Sequence, residues 1–162
     1  MNPNRPLPLL VLVGPTAVGK TAYSFEIARR FRVEIISGDS VQVYRGMDIG
    51  SAKAAPPERE RFPHHLIDIL NPDDPFTAAD FQKAAAELIA EIAARGRLPM
   101  IVGGTALYIE SLVYDYRFPG AGADARIRSR WEQAADELGL AALHRMLAER
   151  NPAAAARIHP ND

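Results

Sequence analysis

Leu9-Leu10-Val11-Leu12-Val13-Gly14-Pro15-Thr16-Ala17-Val18-Gly19-Lys20-Thr21 is the stretch that decides the fold. An unbroken apolar run of this length reads as a strand buried on both faces, the habit of parallel sheets. It runs straight into Gly14, and residues 14–21 satisfy G-x-x-x-x-G-K-[ST] at every fixed position. A helix is expected to follow over about 20–31. In that strand-loop-helix setting, backbone N–H groups of the loop and of the helix N-terminus converge on phosphate oxygens. Gly14, Pro15, Thr16, Ala17, Val18, Gly19, Lys20 and Thr21 are therefore the candidate phosphate-binding residues. Lys20 supplies a cation to the terminal phosphates, and the Thr21 hydroxyl is the candidate Mg²⁺ ligand.

Downstream, strand and helix alternate. Val33-Glu34-Ile35-Ile36 reads as a second strand ending at Ser37-Gly38-Asp39-Ser40. Residues 46–63 are rich in Pro, Gly and Ala and read as a loop, and 65–70 as a short strand. Thr77 with Asp80 three residues on has the form of a capping box. Behind it Phe81, Ala84, Ala85, Leu88, Ile89 and Ile92 mark one helical face. Leu98-Pro99-Met100-Ile101-Val102 reads as a further buried strand, and Gly103-Gly104-Thr105 opens another helix, to about 113. The expected class is α/β, a P-loop NTPase-like parallel sheet. After Pro119-Gly120-Ala121-Gly122 the strand pattern stops and three helices are expected. The chain divides into an α/β core, 1–119, and a helical insertion subdomain, 120–162.

Ligands of open α/β sheets sit outside the carboxyl ends of the strands. Asp39 is the carboxylate at the second strand's end, with three open roles: general base, partner to Mg²⁺, or turn cap. Gly103-Gly104 suggests close approach of backbone to ligand, with Thr105 capping the next helix and offering a hydroxyl. His64 and His65 lack a third ligand at metal spacing and read as structural or surface residues.

Bulk properties narrow the class further. Among 162 residues, 19 Lys plus Arg against 20 Asp plus Glu leave a net charge of −1, so no general nucleic-acid affinity follows from charge. The absence of cysteine excludes disulfides and thiolate metal sites and fits a reducing compartment. The apolar run Leu7 to Val13 is too short to span a bilayer, is interrupted by Pro8 and lacks a small-residue cleavage pattern, so neither a membrane segment nor a signal peptide is expected. A monomeric cytoplasmic protein is the expectation.

Taken together these segments resemble the bacterial tRNA dimethylallyltransferase (tRNA isopentenyltransferase) family. The resemblance is carried by the phosphate loop and by Ser37-Gly38-Asp39-Ser40-Val41-Gln42-Val43-Tyr44-Arg45-Gly46-Met47-Asp48-Ile49-Gly50-Ser51-Ala52-Lys53. It continues in Pro63-His64-His65-Leu66-Ile67-Asp68, Phe76-Thr77-Ala78-Ala79-Asp80-Phe81, Val102-Gly103-Gly104-Thr105-Ala106-Leu107-Tyr108, and Ala154-Ala155-Ala156-Arg157-Ile158-His159-Pro160-Asn161-Asp162. It implies transfer of a dimethylallyl group from dimethylallyl diphosphate to the exocyclic amine of the adenosine 3′-adjacent to the anticodon.

On that resemblance Asp39 is the general base. Lys20, Mg²⁺ held by Thr21, and Thr105 stabilise the departing diphosphate. Asp39, Ser40, Val41, Gln42, Thr105 and Arg128 contact the tRNA anticodon stem-loop. Arg126, Arg130, Arg145, Arg150 and Arg157 are further phosphate candidates, weighed against a solvated helix face. Ser51 and Val18 depart from the usual Thr and Ser without touching the chemistry. Family members run well past residue 162, so the chain is expected to be a C-terminally truncated form whose activity is in question. Three rivals stand beside this reading: a small-molecule kinase, an adenylate isopentenyltransferase acting on free nucleotide, and a non-catalytic nucleotide-binding module.

Overall fold

The computed structural model describes residues 7–15, 17–118 and 124–161. They form two compact units, Met1–Arg117 and Phe118–Asp162. The change of character read at Pro119-Gly120-Ala121-Gly122 lies outside the described residues.

The first unit is built on a four-stranded, wholly parallel sheet in the order β1-β4-β2-β3, where β1 is Leu10–Val13, β2 Val33–Ser37, β3 His64–His65 and β4 Leu98–Gly103. The central β4 sits between β1 and β2, with Leu12 opposite Val102 and Ile35 opposite Met100. Because side chains alternate across a sheet, each strand feeds two cores. Val33, Ile35 and Met100 pack with Phe25 of α1 (Lys20–Arg30), joined by Ala54 and Phe62. On the other face Ile36 and Ile101 are fully buried, and Ile101 lies towards Ile109 of α4 (Ala106–Val113).

The longest helix, α3 (Ala78–Ala94), starts as its sequence requires. Thr77 Oγ1 accepts from the Asp80 amide at 3.2 Å, and Asp80 Oδ2 accepts from the Thr77 amide at 2.9 Å. Phe81, Ala85, Ile89 and Ile92 of its periodic face are buried, and Ala84 and Leu88 are half-buried at the stripe's edge. At the far end of β2 the buried Glu34 is held by Arg95 (Nη2 to Oε2, 2.7 Å), by His65 (2.7 Å) and by Arg97 (3.5 Å).

Two expectations are corrected. The loop read over 46–63 contains a short helix, α2 (Pro56–Arg61), started by Pro at its first positions and by Glu58 Oε2 accepting from the Ala55 amide at 2.8 Å. It lacks an apolar stripe, so periodicity could not reveal it. The strand read over 65–70 stops at His65, because Leu66 (φ 59°) and Asp68 (φ 55°) adopt left-handed conformations that no strand accommodates. The segment keeps one bridge, Leu70 with Tyr44.

The second unit comprises α5 (Ala125–Leu138), α6 (Leu140–Arg150) and the short α7 (Pro152–Ala155). Asp124 caps α5 by accepting from the Arg126 amide at 2.9 Å, and Asn151 caps α7 by accepting from the Ala154 amide at 3.0 Å. Arg130 and Arg150 both lie 5.9 Å from the Trp131 ring. Among the described residues, no helix is long and apolar enough to cross a membrane.

Candidate active site

The carboxyl ends of β1, β4 and β2 surround a cavity of about 350 Å³. Its first wall is the phosphate loop, through Ala17, Gly19, Lys20 and Thr21. Two residues of this loop take left-handed backbone, Ala17 at φ 68° and Gly19 at φ 88°, the second directly before α1 begins. Lys20 Nζ curls over the loop and donates to the carbonyls of Gly14 (2.8 Å) and Pro15 (2.7 Å). The ammonium thus stands where the loop carbonyls and the helix N-terminus meet. Thr16 lies outside the described residues. Val18 is exposed.

The second wall follows β2. Ser37 and Asp39 line it, and Asp39 Oδ1 accepts from the amides of Val41 (2.9 Å) and Gln42 (3.3 Å). The turn-capping role is therefore real, but it occupies one oxygen. Among the described residues Oδ2 has no protein hydrogen bond. From Asp39 a strap, residues 39–53, leads on from β2, and Gln42, Ser51 and Ala52 of it line the cavity. Gln42 braces the strap from within: its Oε1 accepts from Ser37 Oγ (2.8 Å) and its Nε2 donates to the Ser51 carbonyl (2.9 Å). Ser40 is half-buried, and Val41 is exposed on the strap.

The third wall is the end of β4, and here the structure revises the sequence reading twice. Gly103 does not clear space for a ligand. A Cβ there would lie 2.1 Å from the Gly38 carbonyl oxygen, so the glycine lets two strand ends touch. The amide of Gly38 donates to Val102 O (2.8 Å) and that of Thr105 to Gly38 O (3.2 Å), which locks the ends of β2 and β4 together. Nor does Thr105 cap α4 with its side chain. Its Oγ1 accepts from the Ser40 amide (3.0 Å) and donates to Ser40 Oγ (3.3 Å), pinning the strap beside Asp39.

His64 is a cavity residue that sequence reasoning misses. It lines the wall behind Ile35 and Ile67, with Nδ1–H donating to the Phe62 carbonyl at 2.6 Å, which leaves Nε2 an acceptor. Burial pushes its pKa below the ordinary imidazole value, only partly offset by that carbonyl, so the ring is neutral at pH 7. A histidine that opens a two-residue strand gives no local signal of this. Arg128 lies exposed on α5 of the second unit, as do Arg126, Arg130, Arg145, Arg150 and Arg157 on that unit.

Among the described residues no group of three or more His, Cys, Asp and Glu could hold a metal. For a cation the cavity offers hard oxygen, one carboxylate at Asp39 and hydroxyls that include Thr21. That donor set is too small for an all-protein cage. It suits Mg²⁺, which keeps its waters and takes ligand phosphates.

The sequence model of the family described as IPP transferase matches residues 42–162. The chain belongs to the IPP transferase family. This member is 58% identical over 153 residues to the tRNA dimethylallyltransferase of Heliobacterium modesticaldum, covering 94% of the chain and 48% of that relative. It is 54% identical over 159 residues to that of Bacillus subtilis, covering 98% and 51%. The chain spans about half the length of the curated relatives it matches.

Solved structures of the family agree. The full-length tRNA isopentenylpyrophosphate transferase from Bacillus halodurans superposes with TM-score 0.68 at 49% identity, covering 97% of this chain and 52% of that one. A eukaryotic dimethylallyltransferase acting on tRNA gives TM-score 0.78 at 25% identity, covering 96% and 39%. The α/β class with its parallel sheet is therefore that of IPP transferases.

Proposed function

We propose that this IPP transferase transfers a dimethylallyl group from dimethylallyl diphosphate to the exocyclic amine of the adenosine 3′-adjacent to the tRNA anticodon. The observation that carries the reading is the convergence on one cavity of a phosphate loop and a carboxylate whose Oδ2 has no hydrogen bond among the described residues. A phosphate loop alone serves many reactions. What ties the loop to this reaction is the carboxylate on the same cavity, a base for the amine that attacks as diphosphate leaves.

In this reading Gly14, Pro15, Thr16, Ala17, Val18, Gly19, Lys20 and Thr21 hold the diphosphate as leaving group. The adenine nitrogen bonds to the allylic carbon while the carbon–oxygen bond breaks, and that electron pair leaves with the diphosphate. The amine proton passes to Asp39 Oδ2, help that a weakly nucleophilic aryl-type amine needs. Lys20, with its fixed charge beside the loop, stabilises the oxygen that gains charge. The Thr21 hydroxyl would hold Mg²⁺, which would supply further positive charge for that stabilisation. Thr105 keeps Ser40 and the strap beside Asp39, and its hydroxyl would reach the leaving group by turning from Ser40 Oγ, to which it donates here. The target base leaves its stack to enter the cavity, at about a few kcal/mol. Asp39, Ser40, Val41, Gln42, Thr105 and Arg128 are its proposed contacts in the RNA. The protein is read as a cytoplasmic monomer of two parts, the α/β core 1–119 and a helical RNA-gripping part 120–162.

The test is transfer of radiolabelled dimethylallyl from its diphosphate to an anticodon stem-loop RNA with Mg²⁺, using the chain, its Asp39→Ala variant and the Bacillus subtilis relative as positive control. Label in RNA, lost in the variant, is the expected result. Phosphate transfer from ATP to a small acceptor, with no label in RNA, would sink the reading.

A further inference from the structure

The strap that carries Asp39 and Gln42 is tied down by one buried cation that the reaction does not use. Only 4% of the Lys53 side chain is exposed. An ammonium has three donors, and all three are taken: by the Tyr44 carbonyl (2.7 Å), Asp48 Oδ1 (2.9 Å) and Asp68 Oδ1 (2.6 Å). The first two are inside the strap, whereas Asp68 belongs to the turn after β3 and is itself braced by Arg59 (2.5 Å). The same turn takes the strap's backbone, with the Asp68 amide donating to Gln42 O (3.1 Å) and the Ile69 amide to Val43 O (2.9 Å).

Strain is gathered around this tie. Ala52 (φ 51°), Leu66 (φ 59°) and Asp68 (φ 55°) are all left-handed non-glycine residues within two positions of the Lys53–Asp68 bond. Such conformations persist only where the surroundings over-determine them. With Asp68 26% and Asp48 65% exposed, this ion-pair cluster contributes little to stability by itself. What it supplies is a fixed geometry. Burial works against the Lys53 charge, but its bonds to Asp68 and Asp48 outweigh burial and keep the ammonium protonated.

We propose that Lys53 is a positioning residue, whose bonds to Tyr44, Asp48 and Asp68 fix the strap and so set where the Asp39 carboxylate and the Gln42 backbone stand over the phosphate loop. Its catalytic consequence rests on the prenyl-transfer reading, while its structural consequence is independent of it. The phosphate loop is not part of the tie, so leaving-group binding and base placement are separable.

The chain has no cysteine, which allows an atom-level test. Lys53→Met and Lys53→Cys are prepared, and the latter is also alkylated with 2-bromoethylamine in denaturant and refolded, which restores an ammonium at nearly the original reach. In Lys53→Met, amide exchange at Val41, Gln42 and Asp68 is expected to speed by about tenfold or more while amides of α3 keep their protection. Affinity for inorganic diphosphate is expected to stay within about twofold, whereas the rate of transfer to stem-loop RNA at saturating substrates falls about a hundredfold, as misplacement of a reacting group by roughly 1 Å does. The alkylated protein recovers both the protection and the rate.

Unchanged strap protection in Lys53→Met would overturn the proposal. So would a loss shared equally by α3 and by diphosphate binding, which would mark general loosening of the fold. If the unsubstituted chain transfers no label yet the strap amides respond as expected, the reaction reading fails and the positioning role of Lys53 stands.

Discussion

At the scale of single residues, sterics and proton chemistry separate two kinds of position around the cavity. Gly103 is the steric kind. Any side chain there meets the Gly38 carbonyl at 2.1 Å, and neither strand end can yield while Gly38 and Thr105 are bonded across the gap. Gly103→Ala is therefore expected to destabilise the protein by about 3 kcal/mol or more, the upper range of overpacking, read as a fall in the denaturation midpoint. Gly104→Ala is the control, because its Cβ would stand 3.5 Å from Gly14 O, an ordinary contact. Asp39 is the chemical kind. Asn in its place keeps a side-chain oxygen for the Val41 and Gln42 amides and loses only the base. Asp39→Asn is expected to leave thermal stability and diphosphate affinity in place while lowering transfer by about 10²–10⁴-fold, the usual worth of a general base. A comparable fall in diphosphate affinity would instead mark Asp39 as part of the phosphate or metal shell.

At the scale of elements, local signals are legible in the sequence and long-range ones are not. The helix α3 is readable because its cap and its stripe are both written in consecutive residues, and the phosphate loop because strand, loop and helix are contiguous. Thr77→Ala removes one half of that cap and is expected to lower stability by about 1 kcal/mol in denaturant titrations. By contrast, the role of Gly103 depends on Gly38, and that of Thr105 on Ser40, each 65 positions away. No periodicity reports such a pair. The short β3 misleads for a related reason: the apolar letters after it suit a strand, and the turn at Leu66 and Asp68 is imposed by the strap and by Lys53.

The same limit hides the contacts of Glu34, an acidic residue in an otherwise apolar strand, whose partners come from β3 and from the segment between α3 and β4. Its hydrogen bond to Arg95 leads in holding it below the ordinary carboxylate range, against the cost of burial and with help from His65. A depressed folded-state pKa means stabilisation that is fully present above the unfolded value of 4.5 and lost as pH falls through the folded value. Between about pH 5 and about pH 3 the unfolding free energy is expected to drop more steeply for the unsubstituted protein than for Glu34→Gln. Parallel curves would remove Glu34 from the acid response.

At the scale of the whole molecule, the division into two units separates the tasks the proposed reaction needs. The phosphate loop, Asp39, Thr105 and Lys53 all belong to the first unit, and the hydrogen bonds that hold them close within it. The second unit carries none of these groups. It presents Arg126, Arg128 and Arg130 exposed along α5, with Arg145, Arg150 and Arg157 beyond. Guanidiniums of this kind position a phosphodiester backbone without chemistry of their own. A chain ending at Arg117 is therefore expected to fold and to bind diphosphate with the affinity of the 162-residue chain, since no group that makes the cradle is removed. Its affinity for an anticodon stem-loop should fall, and the dependence of that affinity on salt should flatten by about 0.7–0.9 for each RNA phosphate left without its arginine. Calorimetry with diphosphate and anisotropy with labelled RNA across a salt series read the two effects separately. Equal RNA affinity and an equal salt slope in both chains would assign the RNA grip to the first unit and leave the arginines of α5 a solvated face.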